Sequence, residues 1–399
     1  MTRQKVKQAL PTAGNLRLGP VLLRVDANLT TEFVDNVNLA AGGSEDIIIT
    51  PSVGVTAIWP MTRQNTLRFR TSIGYSKYIN NSALDRENLV ISPDSALSFD
   101  IYAGDFRFNF HEQFSYQLET VSQGSLAGVA QLPRFTNTVG ASVLWDMNDI
   151  IWTIGYDHFD FITVGDAANT QGALAQNTGQ LNHSTDQVAT SASFKLSSVA
   201  IGGLEIVGAT SSYPDSSSAD FSSLTVGPYI EYQLTPYTHL FLSGGYKLYS
   251  GNGGGVAAAG TVPGIAGNQS GFYAGASIVH TLNRYYRDRL DFGRSDEFDA
   301  FNGRAQTSYV RYSGTWELNQ KMSLGIGLSY EDVNLVSGSL FNGGNAEKYS
   351  RIGASLSTAY RLTEHFDVAL AYRYTNKDST IALLSYSQNS LTISLGYRF

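Results

Sequence analysis

Between Phe106 and Leu118 the side chains sort by parity. Phe106, Phe108, Phe110, Phe114, Tyr116 and Leu118 share one, while Arg107, Asn109, His111, Gln113, Ser115 and Gln117 share the other. Successive side chains of a β-strand point to opposite faces, so a strand written this way meets two different surroundings. The split recurs at Leu324, Ile326, Leu328 and Tyr330 against Gly325, Gly327, Ser329 and Glu331. It recurs again at Leu391, Ile393, Leu395, Tyr397 and Phe399 against Thr392, Ser394, Gly396 and Arg398. Glu112 breaks the pattern by falling on the apolar parity. A charge facing hydrocarbon costs up to about 2–4 kcal/mol, less for a carboxylate, so a bulge or shifted register is expected near Glu112.

From Pro20 to Phe399 such runs alternate with connections that are by turns short and long. The short links fall near Pro60–Gln64, Gly104–Asp105, Met147–Asn148, Ser198–Val199, Thr235–Tyr237, Asn283–Arg284, Asn319–Lys321 and Thr363–His365. Nine longer links centre on Asp35–Asp46, Asn80–Arg86, Glu119–Pro133, Thr163–Ser184, Pro214–Asp220, Gly251–Gln269, Asp299–Ala305, Val336–Glu347 and Asn376–Leu384. Eight turns and nine loops join about eighteen strands, an even number that returns the chain to the side where it entered. The expected fold is all-β: a closed, antiparallel, up-and-down transmembrane barrel with short periplasmic turns and long extracellular loops. Residues 1–19 are expected to form an N-terminal periplasmic tail and residues 20–399 the barrel.

Composition agrees with this fold. Only 15% of residues are charged, whereas Tyr and Phe number 23 and 20 and Gly 39, a mixture that favours strands over helices. No stretch of eighteen apolar residues is present, which excludes a helical span. A mean hydropathy of −0.12 is no obstacle to a barrel wall, where only alternate residues face lipid. Cysteine is absent, which suits an oxidising compartment. The first ten residues carry Arg3, Lys5 and Lys7 but no apolar core of signal length before Pro11, so either an export signal has been removed or the outer-membrane reading fails.

Tyr75, Tyr116, Tyr156, Tyr246, Tyr330 and Tyr372 recur at multiples of roughly 42 residues, the length of one up-strand, loop, down-strand and turn. They are expected to form one aromatic girdle at the membrane interface. Trp59, Trp145, Trp152 and Trp316, near the turns, are expected to mark the other. A propeller also repeats at this interval, but it needs recurring Trp-Asp signatures, and Trp145-Asp146 is a single occurrence.

The closing segment Leu391–Phe399, ending on a terminal Phe, resembles the C-terminal strand signature that the barrel assembly machinery of bacterial outer membranes reads. The resemblance implies Phe399 as an assembly signal. The opening stretch, with Leu18-Gly19-Pro20, Asp35-Asn36-Val37, Thr50-Pro51-Ser52-Val53-Gly54 and Gly74-Tyr75 with Tyr78, resembles the start of the β-barrel porin type 2 family. That resemblance implies an outer-membrane location. Some barrels of this kind accompany surface polysaccharide systems, which implies polysaccharide handling as a second role.

If parity separates lipid from lumen, the inward, pore-lining cations are Arg24, Arg68, Arg70, Arg107, Lys247, Arg287, Arg289, Arg311, Arg351, Arg373 and Arg398. Fewer acids share their face, among them Asp26, Glu32, Asp157, Asp291, Glu317 and Asp367. With a net charge of −7, the surplus acids are expected in loops, as Glu45, Asp46, Asp85, Glu87, Asp166, Asp215, Asp220, Asp296, Glu297 and Asp299 suggest. A net basic bore predicts weak anion preference, unless the arginines pair with neighbouring acids and only brace the wall.

Catalytic and metal chemistry find no pattern. The six His residues stand at 111, 158, 183, 239, 280 and 365 with no pair at metal-ligand spacing. The acidic and basic run Arg287–Asp299 lacks the spacing of a calcium loop. Gly251–Gly255 is not followed by the Lys-Ser or Lys-Thr of a phosphate cradle, and no Gly-x-Ser-x-Gly occurs. The expectation is therefore no enzyme, no cofactor, no metal and no nucleic-acid partner. The leading function is an outer-membrane porin for passive diffusion of small hydrophilic solutes. The alternative is a loop-plugged structural or binding barrel for surface attachment or polysaccharide handling. Outer-membrane lipid and lipopolysaccharide are the expected surroundings, and a homo-oligomer is left open.

Overall fold

The computed structural model describes residues 16–81, 88–119, 131–164, 178–215, 220–252, 266–299, 303–335 and 347–399. Eighteen long strands form one wall. Its first half is β1 (Val21–Val34), β2 (Asp46–Pro60), β3 (Asn65–Tyr75), β4 (Leu89–Ala103), β5 (Phe106–Glu119), β6 (Gln131–Asp146), β7 (Ile150–Thr163), β8 (His183–Lys195) and β9 (Ala200–Ser212). The second half is β10 (Phe221–Thr235), β11 (Thr238–Asn252), β12 (Ala266–Asn283), β13 (Tyr286–Asp299), β14 (Gly303–Glu317), β15 (Met322–Leu335), β16 (Lys348–Arg361), β17 (Phe366–Ser379) and β18 (Tyr386–Arg398). Each strand pairs antiparallel with its sequence neighbours. The wall closes where β1 meets β18, from Asp26↔Arg398 to Val34↔Ser390. Closure removes both free edges, which a sheet surrounded by hydrocarbon cannot leave unpaired.

All eight short links fall where expected, and local chemistry explains most of them. Gly104 takes φ +62° at the first position of a two-residue link, a backbone that favours glycine. Elsewhere a side-chain oxygen folds the turn. Thr62 accepts from the amides of Gln64 and Asn65, Asn283 from those of Tyr285 and Tyr286, and Thr363 from those of His365 and Phe366. Two short segments lie outside the eighteen. Leu16–Leu18 turns at Gly19 and pairs with the start of β1, and Lys77–Tyr78 continues the pairing with β2.

The parity split gives the wall its two faces. Large apolar side chains stay exposed along one parity all the way round, among them Leu29, Val53, Phe110, Val188, Leu248 and Leu356. A continuous belt of this kind is unfavourable in water and is the surface a bilayer requires. Among the described residues no helix is long and apolar enough to cross a membrane, so crossing falls to the strands.

Glu112 corrects one expectation. A bulge does occur nearby, but on the neighbouring strand, where the registers of β4 with β3 and β5 shift around Ser92–Asp94. Pro93 lies at its centre and has no amide to donate to a ladder. Glu112 itself keeps regular register between Leu97 and Val139 and remains on the apolar parity. His158 stands on the same rung two strands on, beyond Val139.

Candidate functional site: the inner wall and mouth

The eleven predicted cations all occupy the inward parity, and the structure brings most of them together with acids. Asp100 is the centre of the first cluster. Its buried carboxylate accepts from Arg68 Nη1 at 2.6 Å, from Arg107 Nη2 at 3.0 Å and from Asn109 Nδ2 at 3.0 Å. Glu331 is the centre of the second. It lies between Arg311, at 2.7 Å, and Arg351, at 2.5 Å. In each cluster one carboxylate faces two guanidinium groups, so each carries a surplus of one positive charge.

Further pairs extend the ladder. Arg289 meets Asp291 at 2.7 Å, Arg24 meets Asp26 at 3.5 Å, Arg70 meets Asp94 at 3.6 Å and Arg398 meets Asp367 at 3.6 Å. Eight of the eleven are thus braced. Lys247 stands over the Tyr249 ring at 5.3 Å. Arg373 joins Arg311, Glu331, Arg351 and Ser355 around a recess of about 490 Å³ in the inner wall. Arg287 and Arg373 have no carboxylate within ion-pair distance among the described residues. The ladder runs over β13–β18 and, across the closing seam, over β1–β5.

Connections fold over the inner face at the loop end. In the β1–β2 connection Val37 and Leu39 are completely buried, Val37 against Val34, Ile48 and Tyr78, and Leu39 against Tyr386. Val34, Ile48 and Tyr386 are all on the inward parity, so this loop enters the mouth. Its backbone is fastened to β18, because Asn36 Nδ2 donates to Ser387 O at 2.9 Å and Gln388 Nε2 donates to Asn36 O at 2.8 Å. On the far side Leu181 is buried, and His183 stacks between Phe161 at 5.1 Å and Tyr213 at 4.9 Å.

The β13–β14 hairpin makes the third covering. β13 leaves β12 after Ala274↔Arg294. Beyond that point Phe298 packs on Phe221 at 4.4 Å, and Tyr249 donates its hydroxyl to Asp296 O at 2.9 Å. Arg304 holds the tip with a bidentate pair to Asp296, at 2.8 Å each, and with a donation to Ser270 O at 2.6 Å. Phe221 and Tyr249 face inward, so the hairpin leans over the lumen.

That fold is a closed, antiparallel, eighteen-stranded barrel, an architecture solved porins share. No family model matches the chain, and no curated protein matches it. Solved structures do. Pseudomonas aeruginosa OpdK with vanillate aligns with a TM-score of 0.51 at 10% identity, over 94% of this chain and 99% of that one. Pseudomonas aeruginosa OccK2 in complex with glucuronate gives 0.51 at 10%, over 96% and 99%. A BenF-like porin from Pseudomonas fluorescens Pf-5 gives 0.50 at 11%, over 94% and 99%. Architecture is shared over the whole length while sequence is almost entirely different.

The ten predicted girdle aromatics all sit on the outward parity of the barrel wall. Tyr75, Tyr156, Tyr246, Tyr330 and Tyr372 are exposed there, with Tyr116 half-buried. Two of the hydroxyls find polar partners, Tyr156 donating to Asp186 and Tyr372 to Asn389, each at 2.6 Å. Trp59, Trp152 and Trp316 are exposed near turns, and Trp145 lies 6.4 Å from Trp152 across one of them. Phe399 donates its amide to Val25 O at 3.3 Å and meets Tyr397 edge-on at 5.0 Å.

Some polar residues were misplaced by sequence reasoning. Asp46 opens β2, and Asp296, Glu297 and Asp299 belong to β13, so these acids are in strands and not in loops. Asp85, Glu87 and Asp166 lie outside the described residues. Asp46 has a structural task, accepting from the amides of Ile79, Asn80 and Asn81 and so holding the loop after β3 against β2. Asp100 and Lys377 escaped notice. Lys377, expected in a loop, is in β17, buried with Glu347 at 2.7 Å and placed 4.2 Å over the Tyr349 ring. Parity alone would have found Asp100, one step from Ser98 on the inward face.

Proposed function

We propose that this chain is an outer-membrane porin that lets small hydrophilic solutes diffuse down their gradients, with anions favoured. The observation that carries this reading is the inner ladder, in which Asp100 and Glu331 each gather two guanidiniums inside a wall whose outer belt is apolar. Fixed charges lining a narrow bore select ions by sign, and bracing the guanidiniums holds them in place without removing the surplus. The solved porins of like fold support the choice of solute class, since one holds vanillate and another glucuronate, both carboxylates. Lipopolysaccharide and outer-membrane lipid would surround the belt, and Phe399 would serve as the signal read by the assembly machinery. The opening motifs support kinship with the β-barrel porin type 2 family, with residues 1–19 as a periplasmic tail ahead of the barrel.

Proteoliposome swelling tests the proposal. Vesicles carrying the folded protein should swell in small anionic solutes faster than in cations of equal size, and empty vesicles should not. A specific observation favours a second reading. Val37, Leu39 and Leu181 bury apolar side chains inside the mouth, as a plug would. A plugged binding barrel predicts that no solute swells the vesicles.

A further inference from the structure

Opposite the charged ladder the inner wall has a different character. Three tyrosines on alternate strands face a glycine directly across the next ladder: Tyr229 on β10 opposite Gly203, Tyr273 on β12 opposite Gly245, and Tyr309 on β14 opposite Gly293. Each glycine is a notch that its tyrosine fills. A Cβ at Gly203 would stand 2.3 Å from Tyr229 Cζ, and one at Gly227, on the next strand along, 2.1 Å from the Tyr273 hydroxyl. The Tyr309 hydroxyl likewise reaches across Gly293 towards Gly275. The rings therefore lie flat on the wall. Tyr229, Gly275, Gly293 and Tyr309 share one rung, with Tyr273 one inward step above it.

Filling a notch could be the whole purpose of these rings, but three neighbours are not explained that way. Phe241 projects into the lumen beside Tyr229, 6.0 Å between centroids, and leaves 37% of itself in water. Glu205 and Glu231 stand exposed on the same inner stretch, with no ion-pair partner among the described residues. Flat aromatic faces edged by free carboxylates and by the hydroxyl of Ser193, which bonds Tyr229, repel anions and offer acceptors to hydroxyl groups. The track ends where the Arg311 guanidinium covers Tyr309 at 4.7 Å.

We propose that Tyr229, Phe241 and Tyr273, with Glu205 and Glu231, form a binding track for neutral pyranose rings, the C–H face on the aromatic rings and the hydroxyls on the carboxylates. The inference presumes the water-filled lumen of the porin reading but not its anion preference. Saturation-transfer NMR on the folded barrel in detergent tests it, with maltotriose as probe, sorbitol as a hydroxyl-matched compound without a ring, and tetramethylammonium as a cation. Maltotriose should show saturable transfer concentrated on its ring C–H protons, and sorbitol should not. Tyr273→Leu should weaken maltotriose about three- to tenfold, the range of one aromatic contact, while Tyr273→Phe, which keeps the ring, should bind as the parent does. Equal binding of sorbitol, indifference to Tyr273→Leu in a barrel that still closes, or binding of tetramethylammonium without maltotriose each overturns the track. A barrel that binds maltotriose yet swells no vesicles sinks the porin and leaves the track. One that swells vesicles and ignores maltotriose does the reverse.

Discussion

Glu331 shows how one residue governs both stability and charge. Its carboxylate is buried between two arginines, of which Arg351 is largely enclosed and Arg311 half exposed. Removing the charge of an enclosed ion-pair partner costs about 3 kcal/mol here, chiefly through Arg351, with little added by the better solvated Arg311. Glu331→Gln should therefore lower the urea midpoint of the folded barrel and at the same time move its reversal potential further towards chloride. Glycines make a second, graded test. At Gly245 a Cβ would meet backbone, Val226 O at 2.2 Å, which cannot give way. At Gly203 its three nearest atoms all belong to the Tyr229 side chain, which can swing into the lumen. Gly245→Ala should cost about 1–3 kcal/mol, the range of overpacking, and Gly203→Ala clearly less, both read as unfolding midpoints.

At the level of elements, the β13–β14 hairpin is one of the parts that fold over the inner face at the mouth. Its tip is held by Asp296 and Arg304, both buried. Arg304→Met should free the tip and raise single-channel conductance without altering the strand content seen by circular dichroism; unchanged conductance would mean the hairpin is not the narrow point. Strands and turns were legible in the sequence because their signals are local: period two in the strands, and Asn, Thr and Gly at turn positions. The infolding was not legible. Leu39 and Leu181 are buried, Leu39 against Tyr386 hundreds of residues away, and Phe298 packs on Phe221 of another strand; nothing near them in sequence distinguishes them from exposed loop residues. Glu112 was misjudged because the bulge belongs to Pro93 on the neighbouring strand, a cross-strand fact that parity within β5 cannot report.

For the whole molecule, the inward cations were readable from parity, but their pairing was not. Arg68 and Arg107 share Asp100 only because β3, β4 and β5 set them in adjacent registers, over a sequence separation of 39 positions. The result is a cylinder with an apolar outside and an inside divided into a basic arc and an aromatic arc. The porin proposal stands on an open bore in which the Asp100 and Glu331 clusters favour anions. The most direct test is the current through the reconstituted protein in a planar bilayer under a potassium chloride gradient. Steady ohmic conductance with a reversal potential on the chloride side is predicted. A silent membrane, or a reversal potential on the potassium side, would contradict it.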